Sequence, residues 1–341
     1  MSLNTNMLNI SQITGLDLEI SSYCVASCPM CPRNFYGMKH NAGYPVTNVT
    51  LSQFQVAFTP EFMSQIDYVK FNGNFGDFNM NPEGLEILRY IRRHSADARM
   101  DVHTNGHSRD PQYWRDLAET RPRVYFDIDG LEDTHHLHRQ GTDWHRIMDH
   151  ARQHIAAGGH AIWKMLVFDH NRHQEEQCRQ MSRDLGFSDF VVLNDGRDHA
   201  HVFSAQGEYS HTIGDPRHPA PQQAETLMQW KKEHQAAQDD YKQPPKASVH
   251  CLARQNRRIY MASNGDIYPC CWLGFSPRTY DQQLYTGNDQ IRALLKHAKN
   301  NAFEHGLEQS IAWFSEVMQS WQKQSYNEGR LYRCDLHCGR N

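Results

Sequence analysis

Three cysteines that stand close together near the start of the chain could bind a metal. They are Cys24, Cys28 and Cys31, separated by three and then by two residues. Three such thiolates can each bind one iron of a [4Fe–4S] cluster and leave the fourth iron open, whereas a ferredoxin run supplies four ligands. The alternatives are a zinc site completed by His or Asp, and core cysteines that bind nothing. The spacing predicts an iron–sulfur centre with one open position.

The other six cysteines are distant from this group in sequence. Cys178 stands alone in a polar helical stretch and is expected to be structural. Nine cysteines is an odd number, and in a long cytosolic chain they are more often metal ligands or free thiols than a disulfide framework. The five that follow residue 250 are Cys251, Cys270, Cys271, Cys334 and Cys338.

The composition excludes several classes of protein. The chain has 341 residues, with 35 Lys and Arg against 39 Asp and Glu, and a net charge of −4. This length exceeds the size at which one core keeps growing, so we expect a main domain and a smaller one. This slightly negative net charge does not indicate a surface that binds nucleic acid. The apolar runs are too short to span a membrane and the N-terminus lacks a signal peptide, so we expect a cytoplasmic protein.

Six β-type runs alternate with amphipathic helical stretches between residues 16 and 195, which is the pattern of successive βα units. Right-handed crossovers would curl these units into an α/β fold, a partial (β/α)6 parallel barrel. The predicted strands are Leu16–Ser22, Tyr68–Asn74, Arg99–Asn105, Arg123–Asp129, Ala161–Phe168 and Phe190–Asn194, and the helices include Pro82–His94, Pro111–Glu119, Trp144–Ala157 and Gln174–Leu185.

The predicted strands alternate polar and apolar residues, although parallel strands are usually apolar on both faces. If the apolar faces meet the helices, the polar faces line the barrel interior, which then holds a polar cavity. An antiparallel sheet with one wet face is the alternative, and the intervening helices disfavour it. The predicted inward residues are Asp17, Glu19, Asn72, Asn74, Asp101, His103, Asp127 and Lys164.

The rest of the chain differs in composition from the barrel. Residues 196–245 are polar, include a predicted helix around Gln222–Tyr241, and are expected to form a bridge. Residues 246–341 are expected to form a small α+β domain. Its predicted elements are a hairpin of Arg258–Ala262 and Asp266–Cys270 around Ser263-Asn264-Gly265, and helices near Asp289–Asn301 and Leu307–Gln324.

The cysteine loop directly follows the first predicted strand, at the carboxyl end of the barrel, where active sites of parallel α/β barrels lie. Over residues 16–195, the cysteine loop and the six βα units resemble the cysteine motif and the partial barrel of the radical S-adenosylmethionine (SAM) superfamily. The resemblance implies that the open iron binds the amino and carboxylate groups of SAM. It also implies that reductive cleavage of SAM gives a 5′-deoxyadenosyl radical, which abstracts a hydrogen from the substrate.

Further residues are assigned to SAM by the same resemblance. The loop Asn72-Gly73-Asn74-Phe75-Gly76-Asp77 resembles the family's Gly-Gly-Glu loop, so Asp77 or backbone carbonyls near Gly73 would accept from the SAM ammonium; turn capping is the alternative. Asp127 would bind the ribose hydroxyls, and Met30 would pack near the adenine. The full predicted set for SAM is Met30, Asn74, Gly76, Asp77, Asn105, Asp127, Arg139 and Lys164.

Arg139 and Lys164 are also the candidates for a catalytic role, because either could bind a SAM or substrate carboxylate. Surface pairing of Arg139 and a buried ion pair of Lys164 are the alternatives. The expected substrate is polar, namely a peptide or protein side chain, or a small molecule that is dehydrogenated or rearranged. The resemblance further implies a reducing partner such as flavodoxin or ferredoxin.

The C-terminal cysteines resemble the twitch domain, a short form of the SPASM extension that binds an auxiliary cluster. This implies one auxiliary [4Fe–4S] cluster, and two clusters in all. Cys271 could replace one of the ligands, or could be a buried thiol or a hydrogen donor that faces the substrate. The predicted ligands are Cys251, Cys270, Cys334 and Cys338, and the predicted domains are 1–195, 196–245 and 246–341. A non-enzymatic iron–sulfur or zinc sensor is the alternative, and it would need no polar cavity.

Overall fold

The computed structural model describes residues 7–31, 33–35, 38–39, 46–194, 199–204, 206–214, 244–275 and 288–340. The strands are β1 (Gly15–Leu18), β2 (Asn34–Phe35), β3 (Met38–Lys39), β4 (Tyr68–Phe71), β5 (Arg99–Thr104), β6 (Arg123–Asp127), β7 (His160–Val167), β8 (Asp189–Asn194), β9 (His199–Phe203), β10 (Tyr209–Gly214), β11 (Ser248–Val249), β12 (Arg258–Met261), β13 (Ile267–Tyr268) and β14 (Gly339–Arg340).

The main sheet has the order β13-β12-β1-β4-β5-β6-β7-β8. All of its neighbouring pairs are parallel except β12 with β13. The six predicted barrel strands are confirmed, each with its start within one residue of the prediction. The fold is an α/β partial barrel that follows the predicted architecture.

The α-helices follow the predicted positions in the barrel. They are α1 (Leu51–Ala57), α2 (Pro60–Met63), α3 (Gly84–His94), α4 (Pro111–Glu119), α5 (Glu132–His138), α6 (Trp144–Ala156), α7 (Glu175–Asp184), α8 (Leu252–Gln255), α9 (Cys271–Phe275), α10 (Asn288–Leu295), α11 (Ala302–Ser310), α12 (Phe314–Ser320) and α13 (Tyr332–Cys338). Short 3-10 helices span Ile10–Gln12, Phe78–Met80 and Arg172–Gln174. None of the helices in these described ranges has both the length and the apolar character of a membrane span.

Local sequence explains where several helices begin. The Asp110 carboxylate accepts the Tyr113 N–H at 2.9 Å, and Pro111 occupies the first turn of α4. The Asp143 carboxylate accepts the Arg146 N–H at 3.0 Å and caps α6 in the same way. These side chains satisfy N–H groups that a helix start leaves without partners.

The alternation of the barrel strands separates their two faces as predicted. The apolar residues of β1, β4, β5 and β6 are at most 1% exposed and belong to the main hydrophobic core with the helices; they are Leu16, Leu18, Val69, Phe71, Met100, Val102, Val124 and Phe126. Successive side chains point to opposite faces of a strand, so the polar residues between them face the barrel interior.

The C-terminal hairpin is confirmed, but its place in the fold was not predicted. Tyr260 pairs with Tyr268 across β12 and β13, and β12 itself lies parallel to β1, so the hairpin extends the barrel sheet. Gly265 in the turn has a φ of 91°, and a Cβ there would lie 2.4 Å from the Phe303 ring. Only glycine fits this turn without strain.

Of the predicted bridge, the structure describes 199–204, 206–214 and 244–245, which include the antiparallel pair β9 and β10. The predicted helix around Gln222–Tyr241 lies outside the described residues. In place of the two long C-terminal helices expected near Asp289–Asn301 and Leu307–Gln324, the structure has the shorter α10, α11 and α12.

Candidate active site

The loop with Cys24, Cys28 and Cys31, the motif cysteines, crosses the carboxyl end of the barrel after β1. The Ser27 N–H donates to the Gln140 carbonyl at 2.7 Å, and the Cys31 N–H donates to the Cys28 carbonyl at 3.0 Å. Cys28 is buried, whereas Cys24 and Cys31 are partly exposed. All three line one cavity of about 230 Å³. The fold therefore brings the three thiols to a shared space.

The surroundings of these sulfur atoms suit bound iron. Burial raises the pKa of Cys28 to about 12, and the charge of Arg139 acts against this shift. Burial also raises the pKa of Cys24, as do the negative charges of Asp77 and the neighbouring cysteines. In such surroundings the ionised thiolates need a nearby positive charge to stabilise them, and bound metal ions would supply it. Asn105 Nδ2 donates to Cys24 Sγ at 3.6 Å, and N–H donors to sulfur tune iron–sulfur centres.

In the described ranges, no three His, Cys, Asp or Glu side chains are arranged to hold a metal ion. A zinc site needs its ligands to converge on one ion about 2 Å from each. Thiolates of a [4Fe–4S] cluster instead bind different irons, so they are spaced more widely. The motif cysteines and the Asn105 donor offer the sulfur ligands and the N–H contact that a [4Fe–4S] cluster would use.

One wall of the cavity is the loop after β4, which Glu19 holds in place. Glu19 is buried, and its Oε1 accepts the N–H groups of Phe75 at 2.6 Å and Gly76 at 3.0 Å. Its Oε2 accepts the Tyr260 hydroxyl at 2.9 Å. A Cβ on Gly76 would lie 1.9 Å from the Ser21 carbonyl oxygen, so this close approach to the end of β1 requires glycine.

Asp77 makes the capping contacts that were the alternative to SAM binding. Its carboxylate accepts the N–H groups of Asn79 at 3.0 Å and Asn105 at 2.7 Å. It also accepts the Thr104 hydroxyl at 2.9 Å. Asp77 and Asn105 both line the cavity, so their predicted roles toward SAM stay predictions. Asn74 lines it as well, and its Nδ2 donates to the Cys271 carbonyl at 2.9 Å.

Arg139 is held by a buried carboxylate that was not among the predicted site residues. Asp129 is fully buried and accepts Arg139 Nε at 2.5 Å, His138 Nδ1 at 2.7 Å and the Leu166 N–H at 2.8 Å. Burial acts to raise the pKa of Asp129, but the Arg139 charge and the His138 hydrogen bond lower it far below its usual range. Arg139 and His138 line the cavity.

Lys164 reaches the interior and finds a carboxylate on the neighbouring strand. Its Nζ lies 2.5 Å from Asp127 Oδ1 and 3.1 Å from His103 Nδ1. The register pairs Asp127 with Lys164, and Arg139 lies 3.8 Å from the same carboxylate. The predicted inward position of Lys164 is confirmed. Its catalytic role stays a prediction, because the ion pair was the stated alternative.

Met30 lies at the rim of the cavity and packs against Val202 of β9 and Ile213 of β10. The predicted contact with adenine stays a prediction.

His103 and Glu19 were predicted to face inward but were not among the predicted site residues. The signal for Asp129 was its place two residues after Asp127, at the end of the predicted strand Arg123–Asp129.

Several contacts fix the segments that carry the C-terminal cysteines. β11 and β14 pair antiparallel, and the His250 N–H donates to the Cys338 carbonyl at 2.9 Å. Arg330 is buried, lies 2.8 Å from Asp335 and donates to the Lys246 carbonyl at 2.6 Å. These contacts bring the chain before Cys251 against α13, which carries Cys334 and Cys338.

Burial and neighbouring charges raise the pKa values of several C-terminal thiols. Burial raises the pKa of Cys334 to about 12, and negative charge on Cys251 and Cys338 adds to it. Burial also raises the pKa of Cys270, and so does negative charge on Cys271, Cys334 and Cys251.

For Cys271 the neighbours are barrel residues. Burial raises its pKa to about 12, Asp17 adds to the shift, and Lys70 acts against it. The charges that act on Cys271 therefore include two residues of the barrel strands β1 and β4. Cys178 is fully buried in the main core, in keeping with a structural thiol.

Three solved structures share this architecture. SuiB from Streptococcus suis bound to S-adenosylmethionine has a TM-score of 0.54 and 13% identity, over 93% of this chain and 68% of SuiB. The enzyme anSMEcpe with bound S-adenosylmethionine has a TM-score of 0.53 and 14% identity, over 96% of this chain and 89% of its own. The fold is that of radical SAM enzymes.

SuiB bound to the precursor peptide SuiA gives a TM-score of 0.52 and 14% identity, over 95% of this chain and 77% of SuiB. No family profile and no curated protein matches the sequence, so the likeness to radical SAM enzymes lies in the fold.

Proposed function

We propose that this protein is a radical SAM enzyme that abstracts a hydrogen atom from a polar substrate. The observation that carries the proposal is the position of the motif cysteines, at the carboxyl end of a partial barrel with a polar cavity. A [4Fe–4S] cluster on these cysteines, together with SAM, would supply a 5′-deoxyadenosyl radical. The protein would contribute binding, orientation and exclusion of water.

The cavity residues offer SAM a set of complementary groups. The loop from Gly73 to Asp77 presents backbone carbonyls and a carboxylate to an ammonium, and Asp127 presents a carboxylate to the ribose hydroxyls. Asn105 donates to Cys24 Sγ, and Arg139 lies beside Cys28, so both residues would adjust the charge of the cluster. Lys164 would hold Asp127 in place through their ion pair.

The C-terminal segment would bind one auxiliary [4Fe–4S] cluster as a twitch domain, on Cys251, Cys270, Cys334 and Cys338. A cluster with four thiolates has no open iron and suits electron transfer. It would accept an electron when a substrate radical is oxidised. A cytoplasmic reducing partner such as flavodoxin or ferredoxin would supply the electron that starts the reaction.

The substrate we propose is a peptide or protein side chain. SuiB, which shares the fold, has been seen with a precursor peptide bound. Dehydrogenation or rearrangement of a polar small molecule is the second candidate, and the polar cavity suits it equally. A non-enzymatic sensor would not need such a cavity, so the cavity disfavours that alternative.

The test is SAM cleavage by anaerobically reconstituted protein with dithionite as reductant. We expect 5′-deoxyadenosine from the wild type and none above background from the variant with Cys24, Cys28 and Cys31 all changed to Ala. Cys178→Ala is the matched control, since it removes a thiol from the core and should keep cleavage. Full cleavage by the triple variant would refute the assignment, and no cleavage by the wild type would favour a sensor.

A further inference from the structure

The C-terminal hairpin reaches the loop that is proposed to hold SAM. This loop, the β4 loop, follows β4 and spans residues 72–77. The hairpin consists of β12 and β13, and β12 lies parallel to β1 with Tyr260 next to Asp17 in the register. Tyr260 is fully buried, and its hydroxyl donates to Glu19 Oε2 at 2.9 Å. A residue of the C-terminal segment therefore contacts the carboxylate that supports the β4 loop.

One oxygen of this carboxylate contacts several residues of the β4 loop. Glu19 is 1% exposed, and its Oε1 accepts the N–H groups of Phe75 at 2.6 Å and Gly76 at 3.0 Å. Gly73 lies against the same oxygen, since a Cβ there would be 2.9 Å from Oε1. Buried N–H groups need partners, so a shift of this oxygen would move the loop backbone with it.

The Tyr260 ring is held in place by its neighbours. It packs against α9, where a Cβ on Gly274 would lie 2.4 Å from Tyr260 Cε1, so this close approach requires glycine. Tyr268 of β13 contacts the same ring, with centroids 6.2 Å apart. The last torsion of a glutamate side chain is soft. The hydroxyl bond to Oε2 therefore determines where Oε1 of Glu19 points.

The C-terminal segment also contacts the β4 loop directly. Asn74 Nδ2 donates to the Cys271 carbonyl at 2.9 Å, and the Phe75 ring stacks on Phe275 with centroids 6.0 Å apart. The other side of the loop is bound to the barrel, where the Asp77 carboxylate accepts a backbone N–H after β5 at 2.7 Å. The loop is therefore fixed from two sides, and the C-terminal segment supplies one of them.

We propose that Tyr260 is a positioning residue of the SAM site, which acts through Glu19 to hold the β4 loop in the shape that binds the amino-acid part of SAM. The proposal rests on the proposed function and adds the C-terminal hairpin to the SAM site. Of the described residues, Tyr260 and Glu19 are not among those that line the cavity, so their effect passes through the loop. A loop that holds the binding shape only part of the time binds more weakly in proportion to that fraction.

The first measurement is SAM binding by the anaerobically reconstituted holoenzyme, made by equilibrium dialysis. Tyr260→Phe removes only the hydroxyl, and the dissociation constant for SAM should rise about tenfold, the effect of one hydrogen bond to a charged group. 5′-Methylthioadenosine lacks the amino-acid part of SAM and should bind to the variant as it does to the wild type. Wild-type affinity for SAM, or an equal loss for both ligands, overturns the proposal.

Tyr90→Phe is the matched control for this measurement. Tyr90 of α3 is also buried, and its hydroxyl donates to the Phe58 carbonyl at 2.8 Å. Each variant loses one buried hydroxyl and its hydrogen bond, so a general loss of stability should affect both alike. SAM affinity should stay at the wild-type level in Tyr90→Phe. An equal loss in the two variants would mean that lower stability, and not the β4 loop, weakens SAM binding.

Variants of Glu19 test whether Tyr260 acts through this carboxylate. Glu19→Gln keeps an oxygen for the loop N–H groups and gains an N–H that the Tyr260 hydroxyl can accept, so it should bind SAM more tightly than Glu19→Leu. In Glu19→Leu the hydroxyl has no carboxylate to hold, and adding Tyr260→Phe should lower the affinity no further. Losses that add fully in the double variant would contradict the route through Glu19.

Hydrogen exchange of the holoenzyme before SAM is added gives a readout that is separate from turnover. Glu19 accepts the N–H groups of Phe75 and Gly76, so exchange in peptides that cover residues 72–77 should be several-fold faster in Tyr260→Phe and unchanged in Tyr90→Phe. Wild-type exchange in Tyr260→Phe would show that the hydroxyl does not hold the loop. Absence of SAM cleavage by the wild type would refute the proposed function alone, because loop exchange and SAM binding are measured without turnover.

Discussion

At the scale of single residues, Asp127 at the end of β6 and Asp129 just beyond it have separate roles. Asp129 is buried away from the cavity. Its oxygens accept hydrogen bonds from His138, Arg139 and the Leu166 N–H. Asp127 lines the cavity, where it faces Lys164. Asp129 therefore positions the Arg139 guanidinium, whereas Asp127 is exposed to the cavity and can contact a ligand there.

Asp129→Asn should destabilise the protein by about 3 kcal/mol or more, because Arg139 would keep a buried charge without its main partner. Thermal unfolding of the variant and of the wild type measures the effect. Asp149→Asn on the exposed face of α6 is the control and should leave the melting temperature nearly unchanged. An unchanged melting temperature in Asp129→Asn would show that the buried ion pair adds nothing to stability.

Lys164→Met should weaken SAM or substrate binding about tenfold without unfolding the barrel. The methionine fills similar volume, while Asp127 loses an ammonium at 2.5 Å and His103 loses the donor that fixes its tautomer. Equilibrium dialysis with labelled SAM and a circular dichroism melt separate binding from folding. Wild-type affinity together with wild-type turnover would remove Lys164 from the site.

At the scale of elements, the sequence was a good guide wherever local pattern decides structure. Alternation and capping residues located the six barrel strands and helices such as Pro111–Glu119, because these signals act within a few residues. The pairing of β12 with β1 joins segments about 240 residues apart, and no local pattern specifies such a contact. For the same reason, Asp127 could not be identified as the partner of Lys164 until the register of β6 and β7 was known.

The short β11 and β14 ladder is the element that brings the C-terminal cysteines together. Cys270 lies two residues after Tyr268, the last residue of β13, and α9 begins at Cys271. The two cysteines are adjacent in sequence at this strand-to-helix junction, so spacing alone could not choose between them. Cys270 is the ligand proposed above, and Cys271 is its competitor.

Cys270→Ala or Cys338→Ala should remove the auxiliary cluster and spare SAM binding, because thiolates in such a site are hard to replace. Cys271→Ala should keep the cluster. Iron content and the electron paramagnetic resonance spectrum of the reduced protein measure the outcome for each variant. If Cys271→Ala loses the auxiliary cluster and Cys270→Ala keeps it, the choice of ligand is wrong.

At the scale of the whole molecule, one sheet positions both the motif cysteines and Cys270. The motif cysteines follow β1, and the C-terminal hairpin continues the same sheet at its edge. The two regions also touch across the cavity wall, where Asn74 donates to the Cys271 carbonyl and Phe75 stacks on Phe275 at 6.0 Å. An auxiliary cluster bound there would lie beside the loop that is proposed to hold SAM.

The last prediction concerns the iron content of this whole assembly. Anaerobically reconstituted protein should bind about eight irons per chain, because two separate sets of cysteines would each hold four. With Cys24, Cys28 and Cys31 all changed to Ala, about half the iron should remain, since the ladder of β11 and β14 and the buried pair of Arg330 with Asp335 do not depend on the motif loop. Iron and sulfide analysis measures this directly. Loss of nearly all iron from the triple variant would mean that the C-terminal cysteines hold no independent cluster, and about four irons in the wild type would mean a single centre.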